Sequence, residues 1–349
     1  MSLNNITSTI VIPSMSDNLN IIFGLITRNF LYYLPIIFLI LGTIGCIGNT
    51  VIFLQPTLRS NTFCIYSLCG SFVDLVNLSL NIIMSYFTSY LQIQYYQLNS
   101  SLGCKFLCHT LVFLPQLSIN LTVLSLIDRF ACTCSLTSSI RRLNQVKMAP
   151  YWIFITFIIS YIIPIHVLII NNIIPGRGCA STQPVIYAIL SIIITGLMQP
   201  SIMLIFVLLT YRNVRMSRQR VGLVIIANPA HRRYQFVRTA SFQILGTACL
   251  SLPSTIMYGF SIISPSSNRT AEQNTIFYFI YNVTYYLFYL NNVKSFYLMT
   301  LTSRLFRKTF FTILKKLFFK ILQKEYPILL TNIPAMNNGT IRRFKSQLQ

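Results

Sequence analysis

Long apolar runs separated by short polar breaks make up most of the chain. The first clear run extends from Asn29 to Leu54 and contains FLYYLPIIFLILGTIGCIGNTVIFL. As a helix it is long enough to cross roughly 30 Å of hydrocarbon. Six further runs follow at 62–88, 101–133, 147–171, 184–212, 236–262 and 276–302. Polar breaks at Gln92–Gln97, Arg141–Lys147, Arg212–Arg238 and Ser264–Asn274 separate several of them. The pattern predicts an all-α membrane protein, a bundle of seven transmembrane helices. Spans two and three have the weakest hydropathy, because Asn77, Asn81, Gln116 and Asn120 interrupt them. Such side chains are tolerated in a bilayer when they face other helices.

After the last span the pattern changes. In SRLFRKTFFTILKKLFFKILQK, Leu305, Phe306, Phe310, Ile313, Leu314, Leu317, Phe318 and Ile321 recur at helical spacing between Arg and Lys flanks. This predicts an amphipathic helix lying on the inner leaflet, with a basic helix that docks on a calmodulin-like partner as the alternative. The expected organisation is an N-terminal segment at 1–28, a seven-span domain at 29–302, the amphipathic helix at 303–325 and a tail at 326–349.

Composition agrees with a bilayer: 54% of residues are hydrophobic and only 9% are charged, which would be hard to keep in water. Net charge is +22, a value that in a soluble chain would point to nucleic acid. Its distribution points instead to membrane lipids and away from nucleic acid. With the tail in the cytoplasm, 22 of the 27 Lys and Arg fall on that side, four outside, and Lys294 in or near span seven. The positive-inside rule then places the N-terminus outside and the C-terminus inside. The first 25 residues lack a basic segment followed by a compact apolar core, so span one is expected to act as signal anchor. Asn5, Asn99 and Asn268 begin glycosylation acceptor sequences on the outer side, whereas Asn338 would be cytoplasmic.

Several residues stand out chemically. Cys104 begins span three and Cys179 lies in the loop between spans four and five, both on the outer side, where a disulfide is feasible. Two free thiols are the alternative, since counting nine cysteines does not fix a pairing. Asp128 and Arg129 lie about 37 Å further along the same helix, at its cytoplasmic margin. There Asp128 can restrain Arg129 until helix packing changes, or Arg129 can simply snorkel to headgroups. Asp74 is an acid inside span two that needs polar neighbours, with Asn49, Ser71 and Asn291 as candidates. It could hold a sodium ion and water, or serve as hydrogen-bonded packing. Pro115, Pro164, Pro200 and Pro253 fall inside spans, each removing a backbone donor and able to kink its helix. There is no catalytic glycine loop, no metal cluster and no sign of a cofactor, so an enzyme is not expected.

Over roughly residues 30–325 the arrangement resembles the rhodopsin-like G-protein-coupled receptors. Gly48-Asn49 and Asp74 resemble that family's polar marks in spans one and two. Cys104, followed by Asp128-Arg129-Phe130, resembles its span-three disulfide position and D-R-Y motif, with Phe130 in place of Tyr. Trp152, Cys179, Pro200 and Pro253 occur in the expected order. Ser251 stands where the span-six motif has Trp, and the span-seven N-P-x-x-Y motif lacks its Pro. The resemblance implies a plasma-membrane receptor that binds an extracellular ligand and acts on heterotrimeric G proteins, with arrestin as a further partner. An amine ligand is disfavoured because Leu111 occupies the position of the family's amine-binding Asp, and retinal because Lys294 matches the Schiff-base position poorly. The chain looks most like invertebrate neuropeptide receptors of the FMRFamide-like sort, which implies a peptide ligand. A transporter or channel, its route lined by Asp74 and the span-two and span-three amides, is the competing reading.

Overall fold

The computed structural model describes residues 22–23, 25–26, 33–56, 58–90, 100–134, 140–141, 145–175, 178–221, 227–264 and 269–325. Asn5, Asn99 and Asn268 lie outside the described residues. The chain divides into two units, 1–303 and 304–349.

The first unit is built almost entirely of helices: α1 (Leu34–Phe53), α2 (Thr62–Tyr90), α3 (Ser101–Thr133), α4 (Ala149–Ile162), α5 (Ile165–Ile170), α6 (Pro184–Ser191), α7 (Gln199–Val221), α8 (Ala227–Ile263) and α9 (Ala271–Thr302). Local sequence explains the boundaries. Pro35 sits in the first turn of α1, where its missing N–H costs nothing. Thr270 and Gln273 form a reciprocal capping box at the start of α9. The two halves of span four, α4 and α5, part at Pro164, which cannot donate to the preceding turn and crowds its carbonyl. In span five, a π-helical stretch at Ile192–Met198 precedes Pro200, whose absent N–H would otherwise bond the Gly196 carbonyl. Pro115 and Pro253 are accommodated within the continuous helices α3 and α8. Between α5 and α6 the chain makes an antiparallel hairpin, β1 (Asn171–Ile174) and β2 (Gly178–Ser181), in which Ile173 faces Cys179. The turn needs a left-handed residue, and Gly178 supplies it at φ 73°.

Among the described residues six stretches are long and apolar enough to cross a membrane: Leu34–Phe53, Thr62–Met84, Ser101–Thr133, Val146–Ile170, Pro184–Met216 and Ser241–Ile263. The expected seventh run is also a helix, α9, but it does not reach that apolarity. Its tyrosines and the polar set Asn282, Asn291, Asn292 and Lys294 dilute it. The most polar of the expected spans is therefore the seventh, where spans two and three had been expected to be weakest.

Burial is arranged for lipid. On α1, Ile36, Ile40, Ile44, Ile47 and Val51 form an exposed apolar row at helical spacing. Buried positions, by contrast, include Asn49, Ser71, Asp74, Asn77, Gln116, Ser118 and Asp128. Apolar side chains outside and polar ones inside are the arrangement of a multi-pass membrane protein, in which exposed apolar surface faces acyl chains at no cost.

α1 packs on α2, α2 on α3, α3 on α4 and α7 on α8, and α9 returns to α1 and α2 while also packing on α8. α3 is central, touching α2, α4, α5, α7 and the hairpin. Its apolar side chains Phe113, Leu114, Leu117, Leu121 and Leu124 pack with Tyr66 and Ala149, and further along Leu126 packs with Met203, Val207 and Ile244. Close approach of α9 to α1 depends on Gly48, where an added Cβ would run into the Phe296 ring. In lipid, where helix association gains little from the hydrophobic effect, such small-residue contacts and buried polar links hold helices together.

In the second unit α10 covers Arg304–Glu325, with Phe311, Leu314 and Phe318 exposed along one face. A helix begins where the sequence predicts one.

Candidate functional site

The candidate residues are strung along α3. At its start, Ser100 caps the helix through the Gly103 N–H, and Cys104 is bonded to Cys179 of β2. The bridge holds the hairpin on the end of α3, helped by Ser101, whose hydroxyl donates to Asn172 Oδ1 at 2.8 Å. One turn further, Cys108 Sγ lies 3.5 Å from Cys179 Sγ. Next, His109 Nε2 is 3.2 Å from the Tyr161 carbonyl, and because a carbonyl only accepts, that nitrogen carries the proton.

The middle of α3 borders an internal cavity shared with α2, α7, α8 and α9. Its space open to the centres of water molecules is about 40 Å³, room for a few waters at about 10–15 Å³ each. Asp74 and Lys294 both line it. The Asp74 carboxylate accepts a hydrogen bond from Ser118, tying α2 to α3. The Lys294 ammonium donates to Asn291 Oδ1 within its own helix. Among the described residues no direct hydrogen bond or ion pair joins Asp74 and Lys294, although both line the same cavity. Of the neighbours expected for Asp74, Asn49 bonds Ser71 at 2.7 Å instead, linking α1 to α2, and Asn291 holds Lys294. These three hydrogen bonds form a polar belt through α1, α2, α3 and α9, with the cavity between Asp74 and Lys294.

A second belt lies beside Leu78 and Val293. The Tyr289 hydroxyl donates to Asn81 Oδ1 at 2.7 Å, so the short contact with the Tyr285 hydroxyl must use the Tyr285 proton. Tyr297 reaches the Leu41 carbonyl at 3.1 Å, so α9 is tied by tyrosines to both α2 and α1.

At the far end of α3, Asp128 is buried and accepts from Thr62, the first residue of α2, at 2.5 Å. Arg129 donates to Asn61 Oδ1 at 2.9 Å, and its guanidinium lies 4.2 Å from the Phe63 ring centre. Phe130 packs edge-on against Phe206 of α7 at 5.9 Å. Three consecutive α3 residues therefore grip two neighbouring helices. Consecutive helical positions point about 100° apart, which is how one short motif reaches three different partners. Ser251 is buried in α8 with its hydroxyl returned to the Thr247 carbonyl.

Sequence reasoning named Asp74, Asn49, Asn291, Asp128, Arg129, Cys104 and Cys179, and all seven are in or beside these belts and ends. It missed Ser118, Thr62, Asn61 and Cys108, which carry no signal beyond being polar in an apolar run. Lys294 did carry one, as a lone cation inside a candidate span. No protein-family model matches the chain, and a search of curated proteins finds no match.

Proposed function

We propose that this protein is a seven-span receptor that passes an extracellular signal, of peptide type, to a heterotrimeric G protein. α9 is the seventh span, its polar face turned to the cavity rather than to lipid. The hairpin end is extracellular and the Arg129 end cytoplasmic, as the charge asymmetry favours. The observation that carries this reading is the layout of α3. One helix joins a covalently held hairpin, a polar cavity and the Asp128-Arg129 latch on α2. A ligand that moves the hairpin end relative to α3 can then bias the latch, provided it binds the two arrangements with different affinity. In the active arrangement Arg129 leaves Asn61 and meets the G protein.

The cavity serves this switch through charge. Lys294 supplies the cation that Asp74 needs, so this receptor uses its own ammonium where a sodium ion would otherwise sit. The ligand class rests on the family resemblance and on the absence of an acid at Leu111.

A transporter would also have a polar cavity along several helices, but this one has room for only a few waters. Purified protein in proteoliposomes, tested with a neuropeptide library, separates the two. Peptide-stimulated nucleotide exchange on added G protein supports the receptor; solute flux without G protein overturns it.

A further inference from the structure

Cys108 has no part in the reading above, yet it is the described free thiol nearest to the bridge. Its sulfur is 3.5 Å from Cys179 Sγ, about the separation at which reacting atoms are poised, and Cys104, Cys108 and Cys179 sulfurs all lie within 4.8 Å of one another. The arrangement follows from helix geometry. Cys104 and Cys108 are four residues apart on α3, so both point to the same face, towards β2. Cys179 sits in a paired strand opposite Ile173, which holds its side chain between the two helical cysteines.

We infer that the bridge is exchangeable, with Cys108 able to replace Cys104 as the partner of Cys179. The step is an internal thiol–disulfide exchange. The Cys108 thiol loses its proton and attacks Cys179 Sγ; a Cys108–Cys179 bond forms as the Cys104–Cys179 bond breaks. Cys104 leaves as a thiolate and takes up a proton. One disulfide and one thiol are present before and after, so no oxidant or reductant is consumed. The exchange moves the hairpin's anchor by four residues, about 6 Å along α3. That displacement resets how the hairpin sits over the end of the bundle. The inference does not depend on the receptor reading, since it needs only the three sulfurs.

The test is disulfide mapping of full-length protein in membranes, quenched with acid, alkylated and digested with trypsin without reduction. Lys105 lies between the two helical cysteines, so cleavage after it separates their peptides. In Cys104→Ser protein that reaches the membrane, the expected result is a Cys108–Cys179 linked peptide, absent from the Cys104→Ser/Cys108→Ser double variant. Cys108 and Cys179 both recovered alkylated from the single variant, Cys104→Ser, overturns the inference. Should Cys104→Ser fail to reach the membrane, wild-type protein decides. Incubation at mildly alkaline pH before quenching is expected to yield both linked peptides and alkylated Cys104. Recovery of the Cys104–Cys179 peptide alone, with all Cys108 alkylated, overturns it.

Discussion

The cavity and the latch each contain one acid and one base, arranged in opposite ways. Asp128 and Arg129 are adjacent in sequence but spend their hydrogen bonds on different residues of the α2 start, Thr62 and Asn61. Asp74 and Lys294 are far apart in sequence yet line one cavity, Asp74 held by Ser118 and Lys294 by Asn291. The first arrangement fastens α3 to the start of α2 through two side-chain hydrogen bonds. The second brings α2, α3 and α9 around one polar cavity, so it bears on how the bundle assembles.

The largest expected effect comes from breaking the cavity pair. Lys294→Met leaves the Asp74 carboxylate enclosed without a cation and is expected to cost about 3–5 kcal/mol, read from thermal unfolding of purified protein. Adding Asp74→Asn removes the stranded charge and should recover much of that loss. A double variant no more stable than the single one would mean the two charges are independent. In the same assay, wild-type unfolding should not distinguish sodium from potassium.

A smaller effect is expected at Gly48, which seats α9 close enough for Lys294 to face Asp74. Gly48→Leu collides with Phe296 and should cost about 1–3 kcal/mol. Loss of the Lys294–Asp74 coupling in that background, measured by the same double substitution, would confirm that the seat sets the pair. Unchanged stability would mean α9 packs differently.

The smallest effect on stability belongs to the latch. Thr62→Val removes the donor to Asp128 at nearly constant shape and should cost about 1 kcal/mol. Its functional effect should be larger than its stability effect, as raised nucleotide exchange without ligand. A loss as large as that of Lys294→Met, with no change in exchange, would erase the difference between the two regions.

The same contrast explains what the sequence conveyed. Apolar runs are long, and their lengths are set by bilayer thickness, so six of the seven expected spans coincide with described helices long and apolar enough to cross one. α9 was legible as a helix; its polarity is the price of bordering the cavity with Asn291, Asn292 and Lys294. Asp74 and Asp128 were conspicuous because an acid in an apolar run needs a reason. Their partners Ser118 and Thr62 were not, because serines and threonines are common in membrane helices and which one faces an acid depends on helix rotation. Pairing Asp128 with Arg129 was the natural reading of adjacent charges, whereas helix geometry sends the two side chains to separate hydrogen-bond partners. Cys108 was invisible for a related reason: its closeness to Cys179 arises from the hairpin register, which no residue count gives.

On the proposed reading, Arg129 is the group a G protein meets when the latch opens. The most direct measurement is ligand-stimulated nucleotide exchange, comparing wild type with Arg129→Ala at equal surface expression. The account predicts near-normal surface levels and ligand binding for the variant, with exchange reduced at least about tenfold, equivalent to about 1.4 kcal/mol of lost coupling. Equal exchange in the two proteins would contradict it.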